Sequence, residues 1–359
     1  MANKKKIYGI ILAFITFIAY ILLAAQPIPQ ETVLTVKWIK SLKGDYNETG
    51  PVTGQLIPFT LGNRFGYADM AGNPILNKER EEIVSLSAGY WAEYPPTPRE
   101  LVIHNSRPAA TITINNPQGY PLFLDDRIFL IGMDQCSLEE LDDEGRVLWR
   151  YSFEAPLTCI DAAGTYVLTG TLDGMIDLLD NNGKPLFPSY APGASRIPVI
   201  LGCRISSDGS KLAVVSGIDK QRFLFLEWYG NNDYRVTFHE FLRGEGFRRE
   251  VQMAFIENDT RVIFEQETGL GVYDVRSRTS ITLPLSGRLE VLDEKGGDGL
   301  FFYITSGKNG EKRLTAFKPP SLELINIPFK TESVFLCRQG KELILGGGMT
   351  LASFALDKL

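Results

Sequence analysis

A hairpin signature recurs along this chain and limits what it can fold into. An apolar strand ends on an acidic or polar residue, a turn with glycine or proline follows, and a second apolar strand leaves the turn. The clearest copies are Leu141-Asp142-Asp143-Glu144-Gly145-Arg146-Val147-Leu148-Trp149 and Leu179-Asp180-Asn181-Asn182-Gly183-Lys184-Pro185-Leu186-Phe187, with an earlier one at Tyr67-Ala68-Asp69-Met70-Ala71-Gly72-Asn73-Pro74-Ile75. The residues that end the first strand of each hairpin are Asp69, Asn105, Asp142, Asp180, Glu227, Asp274, Lys318 and Asp357, roughly 36 to 47 residues apart. A period of this size describes units that bury their apolar faces against their neighbours rather than against one central core.

The other half of each unit repeats in step. Thr158 to Asp161 turns at Ala163-Gly164 into Tyr166-Val167-Leu168, and Cys203 to Ser206 turns at Asp208-Gly209 into Leu212 to Val215. Val251 to Ile256 turns at Asn258-Asp259, and Phe335-Leu336-Cys337 turns at Gln339-Gly340. Two hairpins per period make a four-stranded blade, so the expectation is an all-β, eight-bladed β-propeller. Seven blades is the alternative, because a first strand is hard to place between Gly44 and Leu61. The last marker stands two residues from the carboxyl end, which leaves the last blade without an outer strand and its edge unpaired. Residues 31–40, Glu31 to Lys40, read as a strand with no blade of their own. They are expected to supply that outer strand and close the ring, making residues 31–359 one domain.

The amino end is different. Ile7 to Ala25 holds no charge and follows Lys4, Lys5 and Lys6. Nineteen helical residues measure about 28 Å, close to the thickness of a bilayer's hydrocarbon core. The lysines are expected to stay in the cytoplasm, with everything after Gln26 on the far side. A cleaved secretory signal is the rival reading, but its apolar core is shorter and Leu23 fits poorly before a cut at Ala25. The expected order is therefore a cytoplasmic tail (1–6), a transmembrane helix (7–25), a linker (26–30) opened by Pro27 and Pro29, and the propeller. Without the three lysines, 34 basic residues face 43 acidic ones, and the net charge of −6 becomes −9. Such a body lacks the basic surface that nucleic-acid binding needs.

The hairpins at 141–149 and 179–186 resemble the repeat of quinoprotein-type (PQQ-like) propellers, in which Ala or Leu, any residue, Asp, a short turn with Gly, Lys or Arg, and a Trp follow in order. Ser206-Ser207-Asp208-Gly209-Ser210-Lys211-Leu212-Ala213 is similar to the strand-turn-strand element of WD40-like and TolB-like propellers. The resemblance spans most of residues 50–359 in pattern. It implies a propeller and, through related propellers that help assemble membrane complexes, a bacterial envelope setting. It carries no active site across, since Trp149 alone fits the repeat tryptophan and no Trp-Asp dipeptide occurs.

Chemistry-bearing residues are sparse. His104 and His239, the only histidines, fall in blades 2 and 5, too few and too separate for a zinc cluster with an imidazole base. No Gly-x-Ser-x-Gly elbow occurs. Asp142-Asp143-Glu144-Gly145 lacks the spacing of a calcium loop and reads as a charged turn. Cys136, Cys159, Cys203 and Cys337 fall in different blades, three of them on inner strands, and read as small buried residues. No cofactor, metal or catalytic residue is expected.

The loops on one propeller face are more promising. They run through Tyr94 to Arg99, Ala191 to Arg196, Ile218 to Arg222 and Arg243 to Glu250, and the last two belong to the longest repeats, where repeat proteins build binding surfaces. Tyr94, Arg99, Arg196, Arg222, Arg243, Phe247, Arg248 and Arg249 are the candidate contact residues, of types enriched at interfaces. The expected function is a protein-binding scaffold anchored by a single pass in the bacterial inner membrane, with its propeller in the periplasm or outside. The alternative is a propeller enzyme or ligand sensor using the central channel, either a quinoprotein-type dehydrogenase or a glycan-acting protein.

Overall fold

The computed structural model describes residues 13–20 and 32–358, apart from 48–52, 108–110, 125, 188, 189, 191, 194, 231, 232, 245, 248, 297, 298, 308, 320 and 321. Residues 13–20 form a helix with an exposed surface. No helix among the described residues is long and apolar enough to cross a membrane. The tail, the linker and the remainder of 7–25 lie outside the described residues.

The described chain otherwise forms eight antiparallel sheets, the blades of a β-propeller. Blade 3 shows the regular unit, in which Gly119–Leu124, Arg127–Gly132, Ser137–Leu141 and Val147–Ser152 pair in chain order. Blades 2, 5, 6 and 7 repeat it, opening at Ile83–Leu86, Ile200–Ile205, Met253–Ile256 and Arg288–Leu292. Blade 4 has three strands, Leu157–Ala163, Tyr166–Thr171 and Ile176–Leu179, and its outer position is held by two bridges, Leu179 to Pro185 and Ile176 to Tyr190.

Blades 8 and 1 take strands out of order. Blade 8 is Val334–Gln339, Glu342–Gly347 and Thr350–Lys358, with Thr32–Ser41 paired outside the third of these. Its outer strand thus comes from the segment that reads as a strand without a blade. Blade 1 is Leu56–Leu61, Arg64–Asp69 and Pro74–Glu79, and Tyr46–Asn47 pairs outside the last. Here the sequence marker is displaced: Asp69 ends the second strand from the channel, whereas the other markers lie at or beside the ends of third strands. The segment 44–61, hard to assign from its pattern, places its short strand outside the sheet. Asn77 holds it there, donating to the carbonyls of Leu42 (2.8 Å) and Gly44 (2.7 Å).

The core lies between blades. One cluster joins Leu168 and Leu178 of blade 4 to Cys203, Val214 and Leu224 of blade 5, and another joins Ala213 and Phe223 of blade 5 to Val262 and Phe264 of blade 6. Phe223 and Phe264 stack with ring centres 4.1 Å apart. Second strands are the most buried, as in Leu212 to Val215 and Val262 to Phe264, because each has a strand on either side and a neighbouring blade on each face.

The Asp-x-x-Gly hairpins fold alike in three copies. The Asp142 carboxylate accepts from the backbone N–H of Glu144 (3.0 Å) and Arg146 (2.8 Å), and Gly145 takes φ +80°. Asp69 with Gly72 and Asp180 with Gly183 reproduce this. The aspartate closes the turn through its side chain and the glycine supplies the left-handed residue without a steric penalty. Each glycine also receives a side chain from the preceding blade's outer strand. A Cβ at Gly183 would stand 2.5 Å from the Trp149 ring, one at Gly145 2.5 Å from Ile112, and one at Gly72 2.6 Å from the Trp38 ring. Trp38 on the closing strand therefore does for blade 1 what Trp149 does for blade 4, a second docking tryptophan that the repeat pattern does not show.

Candidate interaction surface

The loops between blades 4, 5 and 6 are held by their own polar side chains. Asp219, in the loop between the second and third strands of blade 5, accepts from the Ser195 hydroxyl, from the Arg196 backbone N–H (3.1 Å) and from Arg196 Nε (3.3 Å). The Ser195 hydrogen bond, more than the arginine, holds the Asp219 carboxyl well below its usual range. Gln221 exchanges hydrogen bonds with the Phe247 backbone, donating from Nε2 at 3.3 Å and accepting at Oε1 at 3.4 Å. Glu267 accepts from the Gly246 N–H at 2.8 Å. Arg249 forms a two-pronged pair with buried Glu265 (2.6 and 2.9 Å), and its guanidinium lies 4.5 Å from the Phe247 ring centre. A cleft of about 320 Å³ opens beside it, lined by Phe247, Glu265, Glu267, Leu285 and Arg288 among others.

The sequence-derived contact residues divide into three groups. Arg196, with its side chain 92% exposed, Arg243 and Arg99 face solvent. Arg222, Phe247 and Arg249 are half-buried: Arg222 donates to the Pro192 carbonyl (3.1 Å) and lies over Phe241, and the other two fix the loop after blade 5. Tyr94 belongs to the core, stacked on Tyr120 with its hydroxyl 3.0 Å from Ser85. Arg248 lies outside the described residues. The structure thus gathers Arg196, Arg222, Phe247 and Arg249 around blades 4 to 6 and leaves Tyr94 and Arg99 in blade 2. Asp219, Gln221, Glu265 and Glu267 were not singled out in the sequence. Glu265 gives a faint signal there, as an acid inside the apolar run Arg261 to Gln266.

Charges around the channel are spent between blades. Asp161 on the inner strand of blade 4 accepts from the Ile205 N–H of blade 5 at 2.8 Å, and burial pushes its carboxyl up to about 6 against the pull of Arg204. Arg204 of blade 5 donates to the Met253 carbonyl of blade 6 (2.9 Å) and pairs with Glu294 of blade 7 (3.6 Å). Arg338 of blade 8 donates to the Leu300 carbonyl of blade 7 at 2.7 Å. A mixed polar cleft of about 720 Å³ sits where the first turns of blades 2, 3, 7 and 8 converge, lined by Tyr90, Asp126, Glu294, Lys295 and Gln339 among others.

His104 stacks on Trp91 at 4.1 Å, and burial followed by nearby Lys78 lowers its pKa. His239 stands in the outer strand of blade 5 beside Phe241. Cys159, Cys203 and Cys337 are on first strands, and all four cysteines are free thiols. Asp142 is committed to its own turn and to Arg146. Among the described residues no group of three or more His, Cys, Asp or Glu side chains converges.

Eight blades around a channel, docked through turn glycines, define a β-propeller. A sequence profile of β-propeller proteins matches residues 1–359, and the chain belongs to that family. A protein of Treponema pallidum (strain Nichols), described as uncharacterized, is 25% identical over 359 residues, covering 98% of this chain and 94% of its own. Among solved structures, BamB from Moraxella catarrhalis is similar at TM-score 0.60 and 14% identity, over 90% of this chain and 100% of that one. A chain of the Mitotic Checkpoint Complex aligns at TM-score 0.55 and 11% identity, over 92% and 94%. The computationally designed Ika8 protein aligns at 0.60 and 10%, over 87% and 99%. At these identities the structural likeness concerns the fold.

Proposed function

We propose that this protein is a membrane-tethered, extracytoplasmic propeller that serves as a protein-binding scaffold in a bacterial cell envelope, with its partner on the loop face of blades 4 to 6. The observation that carries the reading is the bracing of that face. Asp219, Gln221, Glu265 and Glu267 fix the loops while Arg196 and Arg243 stay in solvent. Loops ordered before a partner arrives lose little entropy on binding, and exposed arginines beside an aromatic suit an interface. The fold is used within assemblies elsewhere, as the checkpoint complex illustrates.

The tether reading rests on Lys4 to Lys6 and the uncharged stretch 7–25. It puts a single pass in the inner membrane and the propeller in the periplasm or outside. The paired docking of Trp149 and Trp38 on Asp-x-x-Gly turns supports a PQQ-like ancestry for the repeat. A scaffold rather than an enzyme fits the channel, whose buried charges bond to neighbouring blades.

Photocrosslinkers placed at positions 196 and 243 in native membranes test the reading. The expected result is a discrete protein adduct from both positions and none from a crosslinker at position 148 on blade 3. Absence of any adduct, together with stoichiometric binding of PQQ, calcium or a sugar by the purified protein, would overturn it in favour of channel chemistry.

A further inference from the structure

Two neighbouring outer strands expose apolar side chains on the propeller rim. On blade 8, Val36 and Ile39 are 52% and 63% exposed, and on blade 7, Leu322, Leu324 and Ile327 of Leu322–Lys330 are 54%, 38% and 46% exposed. Exposed apolar residues also occur on the outer strand of blade 3 (Val147, Leu148) and, in blade 5, at the end of the third strand (Trp228) and on the outer strand (Phe241). Those blades lie three positions round the ring from blade 8, one in each direction.

Chain length separates the two cases. Residues 26–31 alone join Ala25 to Thr32, a span of at most about 25 Å when fully extended. A bilayer segment ending at Ala25 would keep Thr32, where the outer strand of blade 8 begins, within that reach. Charge agrees: residues 32–43 contain Lys37, Lys40 and Lys43 and no acid, inside a body of net charge −9. Lys37 pairs with Glu342 and Lys40 reaches Asn73, while Lys43 and Lys330 are exposed near the two strand ends. Pro328 interrupts the row of donors on the blade 7 strand, which disfavours an added β-strand as the occupant. A bilayer needs no such ladder: it takes apolar side chains into its interfacial zone and lysines at its headgroups.

We infer that the rim of blades 7 and 8 rests on the membrane surface, with Val36, Ile39, Leu322, Leu324 and Ile327 in the interfacial zone. The inference depends on the tether in the function proposed above. It seats the ring edge-on and turns blades 3 and 4 farthest from lipid.

Spin labels on the full chain in phosphatidylcholine vesicles test this. Cys136→Ser and Cys337→Ser remove the two half-buried thiols, and single cysteines are placed by Phe17→Cys, Ile39→Cys, Leu324→Cys and Leu148→Cys. Labels at 39 and 324 are expected to lose collision with a water-soluble nickel chelate several-fold relative to 148 and to gain collision with lipid-soluble oxygen. If 39 and 324 match 148 while 17 reports lipid, the rim contact is wrong and the tether stands. If 17 also reports water, both fail. Spin–spin broadening at 39 that disappears on dilution with unlabelled chain would assign the rim to a second copy and overturn the lipid contact.

Discussion

The seam between blades 3 and 4 and the seam between blades 8 and 1 are made by the same parts. Each has a tryptophan on the outer strand of one blade packed on the glycine of an Asp-x-x-Gly turn in the next. They differ in how the outer strand is held. Trp149 stands on a strand hairpinned to its own blade, with Nε1 bonded to Glu140 at 2.6 Å and only 7% exposure. Trp38 stands on Thr32–Ser41, half-exposed, with Nε1 bonded to the Met70 carbonyl of blade 1 at 3.0 Å. The contrast teaches that closing the ring requires no special device. The step from Trp38 to Gly72 along the chain is an ordinary repeat step, and only the pairing of Thr32–Ser41 with Thr350–Lys358 is exceptional.

The largest effect should come from removing that exceptional pairing. Deleting residues 32–41 exposes the edge of Thr350–Lys358 and empties the socket at Gly72, so thermal unfolding is expected to lose its single cooperative transition; an unchanged Tm would show that the two seams are not equivalent. Trp149→Ala removes a buried indole and should cost about 3 to 5 kcal/mol in urea denaturation. Trp38→Ala, at a half-exposed site, should cost roughly 2 kcal/mol. Equal losses would mean that the closing strand is packed as tightly as the internal one. Gly183→Ala and Gly72→Ala each force a Cβ against an indole at a left-handed residue, with an expected cost of about 1 to 3 kcal/mol apiece.

The seam between blades 4 and 5 adds a polar contrast. Burial raises the Asp161 carboxyl from 3.8 to about 6, so between these values the folded chain keeps a proton that the unfolded chain has released. Stability from this group is complete below about pH 4 and declines as pH rises to about 6, by at most about 3 kcal/mol. Asp161→Asn should flatten that decline in denaturation curves taken across the range. The smallest effect belongs to the exposed loop: Arg196→Ala should change stability by no more than about 0.5 kcal/mol, since exposed pairs contribute little. Its consequence is expected in partner crosslinking instead.

How much of this was legible depended on distance along the chain. The turns at Asp142 and Asp180 are local, because the aspartate bonds backbone two and four residues on and the glycine marks the turn. Blade count followed from their spacing. The register of blade 1 did not, because Tyr46–Asn47 is fixed by Asn77 and Arg64 through contacts that follow no repeat. The loop face was legible as a cluster of arginines and aromatics, but not in its division of labour. Arg249 meets its carboxylate on the following blade, Glu265, and so holds the loop more than it offers a free charge. Tyr94 looked like the start of a loop, yet the alternation of its strand turns it into the core. Trp38 does not stand out in the repeat because the outer strand it stands on belongs to a blade formed about 300 residues later, by Val334–Lys358.

That last separation governs how the molecule is made. Lys37 and Glu342, paired across the closing strand's blade, stand 305 residues apart. During synthesis the strand that completes the ring emerges about 300 residues before its partner and must wait, unpaired, until Thr350–Lys358 has appeared. Blades 2 to 7 can form in order as they are translated, but a chain cut short anywhere before Thr350 has no place for Thr32–Ser41. Ring closure therefore tests whether synthesis has passed through blade 8: only a chain that extends through Thr350–Lys358 can hide that strand, and one cut short of it carries an exposed, aggregation-prone edge.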